Sequence, residues 1–392
     1  MKHTRHDDRH DSSDPTPRPW SLHGAATLGL GPTAPGVPPT PRSIPRPAPR
    51  HAWGRAQGQV QAVSVWTEQV PGRGEDAEPL VAHHWRSAQG LLAVFDGSGG
   101  AGAAPTWQAP DGTSRTGAWV GARTARLATD CWFHDVTREL QDPEPQSLHE
   151  YLRYFLENAP QRRSKIGGTM RRQLPTTLAG LHYRLPEGRR EVELRALWAG
   201  DSRVYALLPG SGLHVLTRDH TRESDALELL RSDPPMTNLV CADRDFEIDS
   251  HQISLPLPCV LLAATDGFFG YVHTPSDFEH LLLRTLQQAD NAAHWADLIR
   301  HEVESFTADD SSLALLALSF RDFDYLRTEF SDRFLKLHDQ QVSRPAVLTA
   351  AQTTVADPYQ TAAEVRAWQD WSWHKYRGSY ESCLPPLPEE PA

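Results

Sequence analysis

Apolar and polar positions recur along this chain at two periods, and the changes of period mark where elements begin and end. From Gln59 to Trp66 the run VQAVSVW alternates apolar and polar side chains, as a half-buried strand does. Leu91 to Phe95 is apolar throughout and runs into Asp96, Gly97, Ser98, Gly99 and Gly100, which predicts a buried strand ending in a turn. Gly117 to Val136 and Ser147 to Asn158 change to helical spacing. Alternation returns in LPTTLAGLHYRL, in Val192 to Leu197 and in Val204 to Leu208, with a break at Gly200, Asp201, Ser202 and Arg203. A short strand over Leu213 to Leu216 and a helical piece over Asp225 to Leu230 follow. A second wholly apolar strand, Val260 to Ala264, ends in Thr265, Asp266 and Gly267. Helices over Ser276 to Gln287 and Ala292 to Phe306 lead through Thr307, Ala308, Asp309 and Asp310 into a strand over Leu313 to Ser319. Beyond Phe320, helical spacing covers Asp322 to Gln340 and Thr361 to Tyr380. The second of these carries Trp368, Trp371, Trp373, Tyr376 and Tyr380, a stripe expected to pack on its own domain.

Composition divides the chain into three parts. Residues 1–55 are dense in Pro with Arg, His, Asp, Ser and Thr, too poor in apolar area to offset the entropy of ordering, and read as a disordered Pro-rich arm. Residues 56–320 read as the folded domain, and 321–392 as a helical extension with a Pro-rich tail. A net charge of −11 with only four lysines argues against binding nucleic acid, whose phosphates are held by clustered cations. No stretch reaches the ~20 apolar residues a membrane helix needs, and no apolar segment backs the charged N-terminus, so the expectation is a cytoplasmic chain without membrane contact. The four cysteines show no CxxC spacing and read as reduced, packed thiols, with a disulfide or zinc site as the alternative.

Candidate chemistry lies at the strand ends. Asp96, Asp201, Asp266 and Asp309 each adjoin an apolar β-run. Any one of them could be a turn former. As a set they suggest acids that a scaffold brings together, and clustered carboxylates repel unless cations neutralise them. An all-oxygen donor set of this kind suits Mg2+ or Mn2+, and the bare backbone at Gly97 leaves room for a carbonyl to reach a metal.

The ordered series FDGSGG, TTL, AGDSRVY, LTRDHT, ATDG and DDSS resembles the metal-dependent protein phosphatases of the type 2C family over about residues 59–319. That resemblance implies an α+β fold: a four-layer α-β-β-α sandwich of two antiparallel sheets flanked by helices, with a two-metal site at one end. By motif, Asp96 would bridge two Mn2+ or Mg2+ ions, the Gly97 carbonyl would reach one, and Asp266 and Asp309 would hold the other. Asp96, Asp266 and Asp309 would thus be the catalytic set. Glu75 and Asp76 match the first Glu-Asp motif, and Asp201 would serve a third, weaker ion. The implied substrate is a phosphorylated Ser or Thr of a protein, opposing a Ser/Thr kinase, with a metal-activated water attacking phosphorus in line. Arg73, two residues before Glu75, is the expected grip on substrate phosphate. Four departures from the pattern stand out: Ser98 where His is frequent, Arg73 two residues before Glu75 where the family's Arg precedes the pair by about four, Pro175 where Gly is general, and a short stretch between Asp219 and Asp266. Ser98, the displaced Arg73 and the short stretch feed a rival reading, a catalytically weak module that binds phosphoproteins. His220 is expected to be structural, bonded to backbone.

Overall fold

The computed structural model describes residues 51–160, 172–188, 190–232, 234–342 and 358–386; the expected arm up to residue 50 and most of the basic link after Pro160 lie outside the described residues. One sheet has the order β1 (Ala52–Gln57), β2 (Val60–Thr67), β13 (Ser311–Leu318), β12 (Cys259–Ala264), β9 (Arg203–Leu208), β10 (Gly212–Val215). The other runs β11 (Asp249–Pro256), β8 (Glu191–Ala199), β7 (Leu178–Arg184), β4 (Gln89–Val94), β3 (Leu80–His84). Every pairing in both sheets is antiparallel. A small hairpin, β5 (Pro105–Gln108) with β6 (Ser114–Thr116), stands apart.

The two wholly apolar runs are explained by cover on both faces. In β4, Leu92 and Val94 meet Leu181, Ala206, Leu261 and Leu316 in the layer between the sheets. Leu91, Ala93 and Phe95 point the other way, onto α2 (Gly117–Glu139) and α3 (Pro145–Glu157). In β12, Leu261 and Ala263 face the partner sheet, whereas Val260, Leu262 and Ala264 face α6 (Pro275–Gln288) and α7 (Ala292–Phe306). Each such side chain, once fully buried, contributes about 1.5–3 kcal/mol. The layers are therefore helix pair, sheet, sheet, helix pair, and the expected α+β sandwich is the observed fold.

Local signals set the helix ends. Thr116 caps α2 by accepting from the Trp119 amide, and Thr274 with Asp277 forms a capping box on α6. The shorter helices are α1 (Gly99–Gly102), α4 (Ala226–Arg231) and α5 (Asp266–Phe269). The expected single helix over Asp322 to Gln340 is two, α8 (Phe323–Glu329) and α9 (Ser331–Val342), divided at Phe330, whose ψ of −1° leaves the helical path. The last helix is α10 (Pro358–Tyr380). Trp373, Tyr376 and Tyr380 are buried in the core that also holds β9, β10 and α6, as expected of the aromatic stripe, whereas Trp371 of the same stripe stands about half exposed. The boundary expected at residue 55 falls inside β1, which pairs with β2. All four cysteines are free thiols, Cys241 and Cys259 buried. No described helix is long and apolar enough to cross a membrane.

Candidate metal centre

Five segments deliver acids to one end of the sandwich. Asp96 follows β4, Asp201 lies in the β8–β9 turn, Asp266 opens α5 directly after β12, Asp309 and Asp310 precede β13, and Glu75 with Asp76 lies between β2 and β3. The residues around Asp96 hold it by its backbone. Thr177 donates its amide (2.8 Å) and Thr176 its hydroxyl (2.7 Å) to the Asp96 carbonyl, and the Asp96 amide donates to the Thr177 hydroxyl at 3.2 Å. Thr177 in turn shares a 2.6 Å hydroxyl contact with Ser202, so the TTL and GDSR motifs are fastened to the first acidic turn. Gly97 admits no side chain: a Cβ would lie 2.7 Å from the Glu75 carbonyl oxygen and 2.9 Å from that of Ala118. Gly200 sits at φ +105°, a conformation that keeps the β8–β9 turn tight against Thr177.

The carboxyls interact with one another. Asp76 is 1% exposed, and its carboxyl lies close enough to Asp96 for the two to repel one another. Burial, then the charge of Asp310, pushes the Asp76 carboxyl up to about 8. Asp96 is raised well above the carboxylate range by burial and then by Asp76, Asp201 and Asp309; Asp266 is raised by burial and then by Asp96, Asp201 and Asp309. Glu75 is raised by burial and by Asp310 and Asp309, against the 2.5 Å hydrogen bond it accepts from Thr116. Asp96, Asp266 and Asp309 are thus within electrostatic reach of one another. Asp201 and Asp76 also act electrostatically on members of this group. Asp201, Asp266 and Asp309 also line an open cleft of about 370 Å³ together with Arg203, Tyr271 and Arg231.

Among the described residues, no three Asp, Glu, His or Cys side chains form a ready-made ligand cage. The donor set nevertheless fits a hard divalent cation. It is all oxygen, its charges are of one sign, and Gly97 keeps a side chain out of the space between the Glu75 and Ala118 carbonyls.

Arg73 is exposed in the turn after Val70 and takes no part in the acidic group's interactions, so the sequence expectation for it gains nothing from its position. Arg123 of α2 is the cation that meets the acids. It donates to the carbonyls of Glu75 (3.1 Å) and Gly74 (3.3 Å) and lies 4.0 Å above the Trp119 ring. Burial pulls it down to about 10, opposed chiefly by Asp76, and it stays charged at neutral pH. Sequence reasoning missed it because it stands 48 residues beyond Glu75, in the middle of an ordinary helix. Three more residues were missed. Asp310 accepts from the amides of Glu75 (2.6 Å) and Gln69 (2.9 Å), Thr265 donates to Asp76 at 3.0 Å, and Ser312 donates to the Ala77 carbonyl at 3.0 Å. All three lie inside motifs, Asp310 and Ser312 in DDSS and Thr265 in ATDG, beside acids that drew the attention instead. His220 is structural as expected: it accepts from the Gly200 amide at 3.0 Å, faces Asp249 at 3.1 Å and stacks on Trp198.

No protein-family model matches the chain, and no curated protein matches it. Solved structures similar to it include PppA, a key regulatory component of T6SS in Pseudomonas aeruginosa (18% identity, covering 67% of this chain and 98% of that one, TM-score 0.42). Others are the serine/threonine phosphatase Stp1 from Staphylococcus aureus (15%, 69% and 98%, TM-score 0.45) and RsbX in complex with magnesium (12%, 68% and 100%, TM-score 0.40). The likeness is one of fold.

Proposed function

We propose that the chain is a metal-dependent protein serine/threonine phosphatase that hydrolyses phosphoserine and phosphothreonine esters of proteins in the cytoplasm, opposing a Ser/Thr kinase. The observation that carries this reading is the convergence of Asp76, Asp96, Asp201, Asp266 and Asp309, from segments far apart in the chain, on one end of the sandwich. Asp96, Asp266 and Asp309 would hold two Mn2+ or Mg2+ ions with the Gly97 carbonyl, Glu75 and Asp76 would support them, and Asp201 would serve a third. When bound, such ions supply an activated water and neutralise phosphoryl oxygens. The chain's own part is to orient: Thr176 and Thr177 fix Asp96, Thr265 fixes Asp76, and Arg123 and Asp310 fix the Glu75 backbone. The cleft of about 370 Å³ is open enough for a phosphorylated side chain to reach the acids.

Ser98 supports the rival reading, a phosphoprotein-binding module, because a serine hydroxyl is a poor proton donor to a leaving alkoxide. One assay separates the two: hydrolysis of p-nitrophenyl phosphate and of a phosphothreonine peptide with Mn2+, with EDTA, and by Asp266→Asn. The phosphatase reading expects Mn2+-dependent turnover that EDTA abolishes. It expects Asp266→Asn to lower turnover by at least about a hundredfold, since even outer partners of metal ligands cost about 10–100-fold. Phosphopeptide binding without turnover would establish the module instead.

A further inference from the structure

Helix α4 forms a wall of the acidic cleft yet has little of its own to hold it. It is six residues long, and only Ala226 and Leu227 are buried. An isolated helix of that length does not persist in water, so its place depends on tertiary ties. Its outer end, Leu229 to Arg231, lines the cleft with Asp201, Asp266 and Asp309, and Phe269, Gly270 and Tyr271 line it as well.

The ties come from α10, at both ends of α4. Asp225 caps α4 with one carboxylate oxygen, accepting from the amides of Leu227 (2.9 Å) and Glu228 (3.2 Å). Its other oxygen accepts from the Arg377 guanidinium at 2.6 Å and the Trp373 indole at 3.1 Å. Arg231, the last residue of α4, donates to Asp370 at 2.7 Å and to Gln369 at 3.2 Å. The Gln369 amide also donates to the carbonyl of His273, two residues past Tyr271, at 3.0 Å. Helix α10 therefore ties down two stretches at the cleft, α4 and the segment just after Tyr271. It is itself firmly seated, with Trp373, Tyr376 and Tyr380 in the core and the Tyr376 hydroxyl on Glu279 at 2.5 Å.

We infer that α10 is a strut that sets the spacing of the cleft walls, and that Asp225, Asp370 and Arg377 are positioning residues that select an extended phosphorylated chain over a small phosphate ester. The inference rests on the phosphatase reading for its substrate and on the α10 contacts for its geometry. A small aryl phosphate needs the acidic floor alone. A phosphorylated peptide also needs walls at the right separation on either side of it.

The test is the full-length double variant Asp370→Ala, Arg377→Ala, which removes a tie at each end of α4 and touches no acid of the site. Hydrogen exchange of amides 229–232, two of which bond to Asp225 and Glu228 carbonyls, should quicken by about tenfold or more while β4 and β12 keep their protection. For a phosphothreonine peptide, kcat/KM should fall about 5–10-fold, carried by KM, with p-nitrophenyl phosphate turnover within about twofold of wild type. Arg377→Lys, which keeps the charge facing Asp225, should stay close to wild type in both. Unchanged exchange at 229–232, or equal loss on both substrates, overturns the strut. If the wild-type chain hydrolyses neither ester, the phosphatase reading falls, and the exchange measurement still decides whether α10 holds α4.

Discussion

Two regions of this molecule bury acidic side chains, and they do so in opposite ways. Under α10, Glu279 is completely buried and fully answered: Arg333 donates to both its oxygens, at 2.6 and 2.8 Å, and Tyr376 donates at 2.5 Å. Nearby, Arg203 and Asp219 form a second bidentate pair, at 2.8 and 2.7 Å, with Arg203 4.3 Å above the Phe269 ring. At the end of the sandwich, Asp76, Asp96 and Asp266 are answered mainly by one another and by neutral donors such as Thr265. The first arrangement is complete in itself. The second carries a repulsion that a structural role gives no reason to keep, and that a bound cation would remove.

The contrast is sharpest when one acid is removed from each region. Glu279→Ala strands Arg333 and Tyr376 in the core and should cost about 3–5 kcal/mol, read by denaturant unfolding, because breaking a buried pair leaves an uncompensated charge. Asp76→Asn should leave the metal-free protein as stable as wild type or more so at pH 8. Equal destabilisation by both would end the distinction.

Next in size is Thr265→Val, which keeps the shape of the side chain and removes the donor to Asp76. Mn2+ affinity, measured by titration calorimetry, should weaken about 10–100-fold. No change would mean that Asp76 does not serve the ion.

A further expectation concerns the pH dependence of stability. The folded chain holds a proton on Asp76 that the unfolded chain releases, because the carboxyl is raised from 3.8 to about 8. Its contribution is therefore complete below pH 3.8 and is lost as pH rises toward 8. In EDTA, the melting temperature of wild type relative to Asp76→Asn should fall by about 2 °C or more between pH 5 and 8. Saturating Mn2+ should abolish the fall. A difference that grows toward low pH would reverse the assignment.

How much of this was legible in the sequence follows from cover. Strands β4 and β12 are buried on both faces and carry unbroken apolar runs that announced them and the acids at their ends. In the two main sheets the strands that the apolar pattern left unmarked, β1, β3 and β11, are at sheet edges, and β11 alternates exposed positions with half-buried ones and the buried Leu255 over DSHQISLP. Periodicity also fails to say which of two adjacent acids turns inward. Asp309 acts on Asp96 and Asp266, while Asp310 acts on Asp76 and binds the Glu75 backbone, and nothing in DDSS distinguishes them. For the same reason Arg73 was singled out through its proximity in sequence, whereas Arg123 reaches the loop through the fold.

The central claim is that acids from distant segments hold divalent cations together, and Mn2+ binding tests it most directly. Free Mn2+ followed by electron paramagnetic resonance, during titration of the full-length chain at neutral pH, should show uptake that Asp96→Asn and Asp266→Asn each abolish while the fold is retained. Uptake unaffected by either substitution, or none in the wild-type chain at millimolar Mn2+, would contradict it.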